Sequence, residues 1–106
     1  MINFNNGDEL LLVLEALSNP HRLKIVSILS VGKQYVSQLA REMGISRPLL
    51  YLHLQKLVEA NLVRSDMEIL ESGKAAKYYT LNPFHFEINE TMIHSLAPSL
   101  TMKKKN

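Results

Sequence analysis

Residues 37–63 read S-Q-L-A-R-E-M-G-I-S-R-P-L-L-Y-L-H-L-Q-K-L-V-E-A-N-L-V, and no other stretch constrains the fold so tightly. Ser37 opens a short helical pattern that turns Leu39 and Ala40 inward and closes at Met43. Gly44 follows, a residue free to take the left-handed conformation of a tight turn. Ser46 caps a second helix with Arg47 and Pro48 in its first turn. Leu50, Leu54, Leu57 and Val58 recur at i, i+4, i+7 and i+8, the spacing of an inward stripe. Asn61 stops this helix, since Asn also tolerates the left-handed conformation. Two short helices joined by a glycine turn are the grammar of a helix-turn-helix, whose second helix projects far enough to enter a DNA major groove.

The flanks extend this pattern. Asp8 to Leu17 reads as a first helix, and Leu10, Leu11, Val13, Leu14 and Leu17 cover more than one of its faces. Such a helix is covered on two sides, by its own domain and by a partner subunit. Asn19-Pro20 opens the next helix, Asn as cap and Pro at the first helical position. Leu23, Ile25, Val26, Ile28 and Leu29 continue it, and Gly32 ends it. After Asn61 the period changes. Val63–Glu71 and Ala75–Leu81 read as two strands around Ser72-Gly73-Lys74, with Tyr78, Tyr79 and Thr80 favouring a strand. A hairpin directly after a helix-turn-helix is a wing. Asn82-Pro83 breaks it, and Phe84 to Leu96 reads as a last helix ended by Pro98. The expected architecture is mainly α with a small β-hairpin, a winged helix-turn-helix of about five helices plus a two-stranded wing. It forms a single domain over 1–106, with N-terminal helices at 8–36, helix-turn-helix at 37–61, wing at 62–81, last helix at 83–97 and flexible tail at 98–106.

Size and composition bound the rest. A chain of 106 residues supports one domain with a modest core, and so a dimer is expected. It has no Cys, which excludes disulfides, Cys-ligated zinc and thiol redox sensing. No apolar run approaches the ~20 residues of a membrane span. Met1 to Gly7 lacks the features of a signal peptide, so the expected location is cytoplasmic, with no membrane partner. The net charge of +2 rests on the terminus. Without Lys103, Lys104 and Lys105, nine basic residues face ten acidic ones. The position of the charges therefore matters more than their sum.

With Leu50, Leu54 and Leu57 inward, Arg47, Pro48, Tyr51, Leu52 and Gln55 lie on the opposite side of the second helix, which Ser46 begins, with Leu49 flanking. Arg47 suits a guanine or a phosphate, Gln55 an adenine or the backbone, and Tyr51 a phosphate, a sugar or a thymine methyl. Gln38, Arg41 and Lys56 are placed for phosphates, which position a protein without specifying sequence. Lys74 at the wing tip and Lys77 beside it suit a neighbouring phosphate or the minor groove. Against this stands the reading of each such residue as a solvated surface group. Glu42, Glu59 and Glu68 fall off the contact line, whereas Glu71 near the wing tip opposes it. Leu49 and Leu52 leave three readings open: thymine methyls, packing against neighbouring elements, or a patch for a protein partner.

The segments A-L-S-N-P-H-R-L-K-I-V at 16–26, H-L-Q-K-L-V-E-A-N-L-V at 53–63 and G-K-A-A-K-Y-Y-T-L at 73–81 resemble the ArsR-type winged-helix repressors, over about residues 10–96. The resemblance implies a homodimer built from the first and last helices. It implies double-stranded DNA with a near-palindromic operator as the partner, and repression relieved by an effector. The identity of an effector, and whether one exists, stays open. Thiolate metal sensors of the family carry a C-x-C pair where this chain has Tyr35 and Ser37, so that site is absent. The spacing of His85, Glu87, Glu90 and His94 departs from the family's second metal site, and they read as a solvated helix face. His53 reads as a partly buried, hydrogen-bonded imidazole within the helix-turn-helix, His21 as a surface residue, and Arg22 as a phosphate contact or a brace from the second helix.

The leading reading is a sequence-specific DNA-binding transcriptional regulator, a dimeric repressor with its recognition helix at 46–60 in the major groove and its wing on the flanking backbone. The alternative is a winged-helix protein-interaction module, an antirepressor or assembly domain with little DNA affinity. No nucleophile–base pairing, phosphate-cradling glycine loop or metal constellation points to an enzyme, and no cofactor is implied.

Overall fold

The structure, a computed structural model, describes residues 3–102. Its elements run α1 (Gly7–Leu17), α2 (Pro20–Leu29), β1 (Gln34–Tyr35), α3 (Val36–Met43), α4 (Arg47–Glu59), β2 (Val63–Ile69), β3 (Ala75–Leu81) and α5 (Glu90–Leu96), with a 3-10 turn at Ala97–Ser99. The helix starts follow local chemistry. Asn6 accepts from the Glu9 N–H at 2.9 Å. Asn19 accepts from His21 and Arg22 at 2.9 and 3.2 Å, with Pro20 in the first turn where its missing N–H costs nothing. Ser46 Oγ accepts from the Leu49 N–H at 3.3 Å. Gly44 sits at φ 68° and Asn61 at φ 59°, so both stops are left-handed as their residue types suggest.

Ile25, Leu39, Leu50, Leu54, Leu57, Leu62 and Val63 are the fully buried large side chains, drawn from α2, α3, α4 and the start of the wing. Burying each contributes about 1.5–3 kcal/mol, which makes α4 the central post of the core. Val58, expected in the same stripe, is 40% exposed. The i+8 position has drifted round the helix beyond the buried sector.

The sheet differs from the expected two-stranded wing. It has three antiparallel strands in the order β1-β3-β2, because Gln34 and Tyr35 pair with Tyr79 and Tyr78. Two residues are too few to show an alternating pattern. The same pairing moves the start of α3: the cap is Tyr35, whose N–H donates to Gln38 Oε1 at 3.2 Å, and Ser37 lies inside the first turn. α2 ends at Leu29 rather than Gly32, where Ser30 donates its N–H to Val26 O at 2.9 Å and its hydroxyl to Ser27 O at 2.6 Å. β2 ends at Ile69, short of Glu71, as Leu70 closes the hairpin on Lys74 at 2.9 Å around Gly73 at φ 85°.

The last helix begins at Glu90, not at residue 83 or 84. Residues 82–89 run irregularly, and Phe84 and Phe86 both pack on the core. Phe86 lies 5.2 Å edge-on from Phe4 and 6.1 Å from Phe84 in a stack. Two inward aromatics spaced by two demand extended backbone, since a helix would send them to different faces. Asn89 then caps α5 through the Met92 N–H at 2.8 Å.

Residues 99–101, expected in a flexible tail, are hydrogen-bonded back to the start of α1. The Gly7 N–H donates to Ser99 Oγ at 2.7 Å, and Thr101 donates its N–H and hydroxyl to the Asp8 carboxylate at 2.9 and 2.6 Å. These bonds hold the Asp8 carboxyl below its usual range. The rest of the expected tail, 103–106, lies outside the described residues. The radius of gyration, 16.3 Å, exceeds the ~13 Å of a compact domain this size, so the molecule is elongated.

Candidate nucleic-acid interface

α4 is inserted as a post with one face buried and the other bare. Leu50, His53, Leu54 and Leu57 are buried, whereas Arg47, Pro48, Leu49, Tyr51, Leu52, Gln55 and Lys56 are exposed. At about 100° per residue, Leu52 stands opposite the buried pair Leu50 and Leu54. Pro48, Leu49, Gln55 and Lys56 surround it on the outward face. Arg47 does not share this centre. With Tyr51, one turn on, it lies on the flank that faces the wing.

That flank borders a groove of about 450 Å3, walled by Tyr35, Gln38, Arg47, Tyr51, Leu70 and Lys77. Its origin lies in strand pairing. β1 covers β3 only at Tyr78 and Tyr79, so the edge of β3 is open beside Ala75, Ala76 and Lys77. The Lys77 ammonium lies 5.7 Å from the Tyr51 ring centre and 5.6 Å from that of Tyr79, bridging wing and recognition helix. Tyr35, read from sequence only as the absence of a thiolate, forms part of this wall. It meets Tyr78 edge-on at 6.2 Å, and Lys33 caps Tyr78 at 4.4 Å while pairing with Glu68 at 3.5 Å. Nothing in the local sequence signals this role, because it depends on the two-residue strand.

The remaining expected contacts are placed as follows. Gln38 and Arg41 are exposed on α3, with the Gln38 carbonyl engaged by the Tyr35 N–H. Ser46 uses its oxygen as the cap and keeps a hydroxyl proton to donate. Gln55 donates its amide to Glu59 at 3.2 Å, so its polar head leans toward the end of α4. Lys56 is exposed one turn beyond Leu52. Lys74 is exposed at the wing tip, away from the groove lining.

Behind the exposed face, Arg22 joins three elements. Its guanidinium donates to Ala16 O at 2.7 Å and Glu15 O at 3.2 Å at the end of α1, and lies 3.2 Å from His53 Nδ1 on α4. Of the two roles expected for Arg22, this is the brace. His53 is buried and stacks on His21 at 5.1 Å. Burial first, then the charge of Arg22 and the neighbouring His21, lower the His53 pKa from 6.5. His85, Glu87, Glu90 and His94 do not share a helix face, since the first two precede α5. Among the described residues no three His, Cys, Asp or Glu side chains are grouped to hold a metal ion, and no helix is long and apolar enough to cross a membrane.

A capped recognition helix, a glycine turn before it and a hairpin after it define a winged helix-turn-helix, the architecture of a DNA-binding regulator. Comparison with known proteins makes the class specific. Residues 19–65 match the family model described as bacterial regulatory protein, arsR family. The chain is 44% identical over 82 residues to an uncharacterised HTH-type transcriptional regulator of Methanocaldococcus jannaschii, covering 77% of this chain and 85% of the relative. It is 31% identical over 84 residues to the arsenical resistance operon repressor of Staphylococcus xylosus, covering 79% and 77%. It is similar to the homodimeric winged helix-turn-helix DNA-binding domain from Mycobacterium bovis, with TM-score 0.62, 25% identity and 86% and 74% coverage. The chain belongs to the ArsR family of helix-turn-helix transcriptional regulators.

Proposed function

We propose that the protein is a dimeric repressor that reads a near-palindromic operator. The observation that carries this reading is the outward face of α4, where six residues from Arg47 to Lys56 plus Leu49 stand clear of the core on a rigid, capped helix. α4 enters the major groove with Pro48, Leu52 and Gln55 toward the bases. Arg47 and Tyr51 on the flank, together with Ser46 at the cap, reach the near strand. Gln38, Arg41 and Lys56 hold phosphates, and Lys74 and Lys77 carry the wing to the flanking backbone.

Dimerisation runs through α1 and the α5 region. Leu11 and Leu12 on α1 and Ile88 and Ile93 near and on α5 are each 40–48% exposed, apolar surface that a second copy would cover. The homodimeric M. bovis domain supports a homodimer, and the S. xylosus repressor supports repression as the direction. Two such helices would meet half-sites about 34–36 Å apart. An effector that binds one dimer geometry better than the other would shift the population able to span that distance.

Titration of labelled operator duplex, selected from a random pool, at increasing salt tests the reading. Six to ten phosphate contacts predict affinity falling about 10^3- to 10^5-fold between 50 and 200 mM salt. Salt-insensitive or absent DNA binding would instead favour the protein-interaction module, to which the bare Leu52 is also suited.

A further inference from the structure

The centre of the outward face of α4 is hydrocarbon. Leu52 is 62% exposed and Leu49, one turn before it, 39% exposed. Pro48 lies beside them on the same face. Of the polar groups that could read base edges, Arg47 lies on the wing-facing flank, and Gln55, beside Leu52, has one of its two amide donors on Glu59. Lys56, at the next turn after Leu52, puts a positive charge beside the apolar stripe, and Glu59, one turn further on, is held by Gln55. An apolar side chain pressed onto base edges strands their donors and acceptors unless it meets an apolar group. In the major groove the one such group a base pair offers is the thymine C5 methyl.

We infer that Leu52, assisted by Leu49, is a specificity-determining residue that reads thymine methyl groups in each half-site. The inference rests on the proposed insertion of α4 into the major groove and names what the centre of that helix recognises there. It also accounts for large aliphatic side chains at positions where solvent exposure alone would favour polar ones. The stripe is continuous with the proposed DNA face, whose outlying residues Gln38, Arg41 and Lys56 suit phosphates, and this favours DNA as what covers it.

The test begins with operator duplexes selected by the wild-type protein from a random pool. Each thymine is then replaced singly by uracil, which removes the methyl and keeps the pairing edge. Anisotropy titrations are expected to show one or two positions per half-site where uracil weakens binding about three- to fivefold, the worth of one buried methyl. Leu52→Ala should bring the thymine-to-uracil ratio at those positions close to one. Lys56→Ala should weaken binding to both duplexes and keep the ratio. Operator binding in which no thymine responds, or in which Leu52→Ala leaves the ratio unchanged, overturns the inference while leaving the DNA-reading proposal intact. Failure of the wild-type protein to enrich any duplex with salt-sensitive affinity overturns both.

Discussion

The guanidinium of Arg22 stands 3.2 Å from Nδ1 of His53, linking the first turn of α2 to the middle of the recognition helix. Arg has only donors, so Nδ1 accepts and the ring proton sits on Nε2. The same guanidinium holds the last carbonyls of α1. One side chain thereby sets how α4, the helix proposed to enter DNA, stands against α1, a helix proposed to form the dimer. Arg22→Ala removes three hydrogen bonds and leaves partly buried acceptors unpaired. It is expected to cost about 2–3 kcal/mol. Urea unfolding should register the loss, and a midpoint within error of wild type would show that the brace carries no stability.

His53 adds an acid dependence of known sign. Its folded-state pKa lies below the 6.5 of the free side chain, so the unfolded chain binds the proton more readily. The neutral imidazole therefore contributes its full stability above pH 6.5, and that contribution is lost as pH falls from there through the lower folded value. His53→Gln can still accept from Arg22 but does not titrate. The urea midpoint of wild type should fall more between pH 7.5 and 5 than that of His53→Gln. Equal falls in the two proteins would assign the acid response to other groups.

Gly7 is a packing requirement. A β-carbon there would come within 2.7 Å of the Leu96 carbonyl oxygen and of Leu100 Cγ. Backbone cannot yield as a side-chain tip can, so Gly7→Ala should push the 96–101 segment off α1 and release the Asp8–Thr101 bonds. Amide hydrogen exchange of Ser99–Met102 is the measurement, with faster exchange expected. Unaltered protection would mean that the segment docks without close contact.

Arg47 and Lys74 should separate by the kind of loss they cause. If Arg47 reaches a base, Arg47→Ala reduces operator affinity by roughly 1–3 kcal/mol and relaxes specificity at one position. Its place on the flank makes a phosphate contact the competing outcome, seen as an equal loss on all sequences. Lys74→Ala should weaken every duplex alike and lower the salt slope by about one. Loss confined to a single operator would contradict the phosphate role.

For the dimer, sedimentation at micromolar concentration is expected to show twice the chain mass, and Leu12→Glu to show the monomer. Leu12 is 40% exposed, so the charge disturbs an interface and not the core of the subunit. A dimer that survives Leu12→Glu would move the interface away from α1.

Much of the fold was legible because its signals are local. Asn19, Gly44, Ser46 and Asn61 act on their own or adjacent backbone, and each does in the structure what its residue type allows. The stripe Leu50, Leu54, Leu57 likewise needs only the helical period. The family was readable for the same reason, since its motifs are built from these caps and stripes. What escaped were features made by pairing across the chain. β1 exists because β3 lies alongside, and residues 84–86 are extended because Phe4 waits on the core.

The candidate site divides in the same way. The sequence alone determined that residues 47–56 form one helix with one bare face, because capping and periodicity are short-range and additive along the chain. Tertiary structure decided which bare residues face outward together. It set Arg47 beside the wing and Lys77 between two tyrosine rings. Those positions depend on where the wing packs and where β1 ends, and packing couples residues that the sequence keeps far apart.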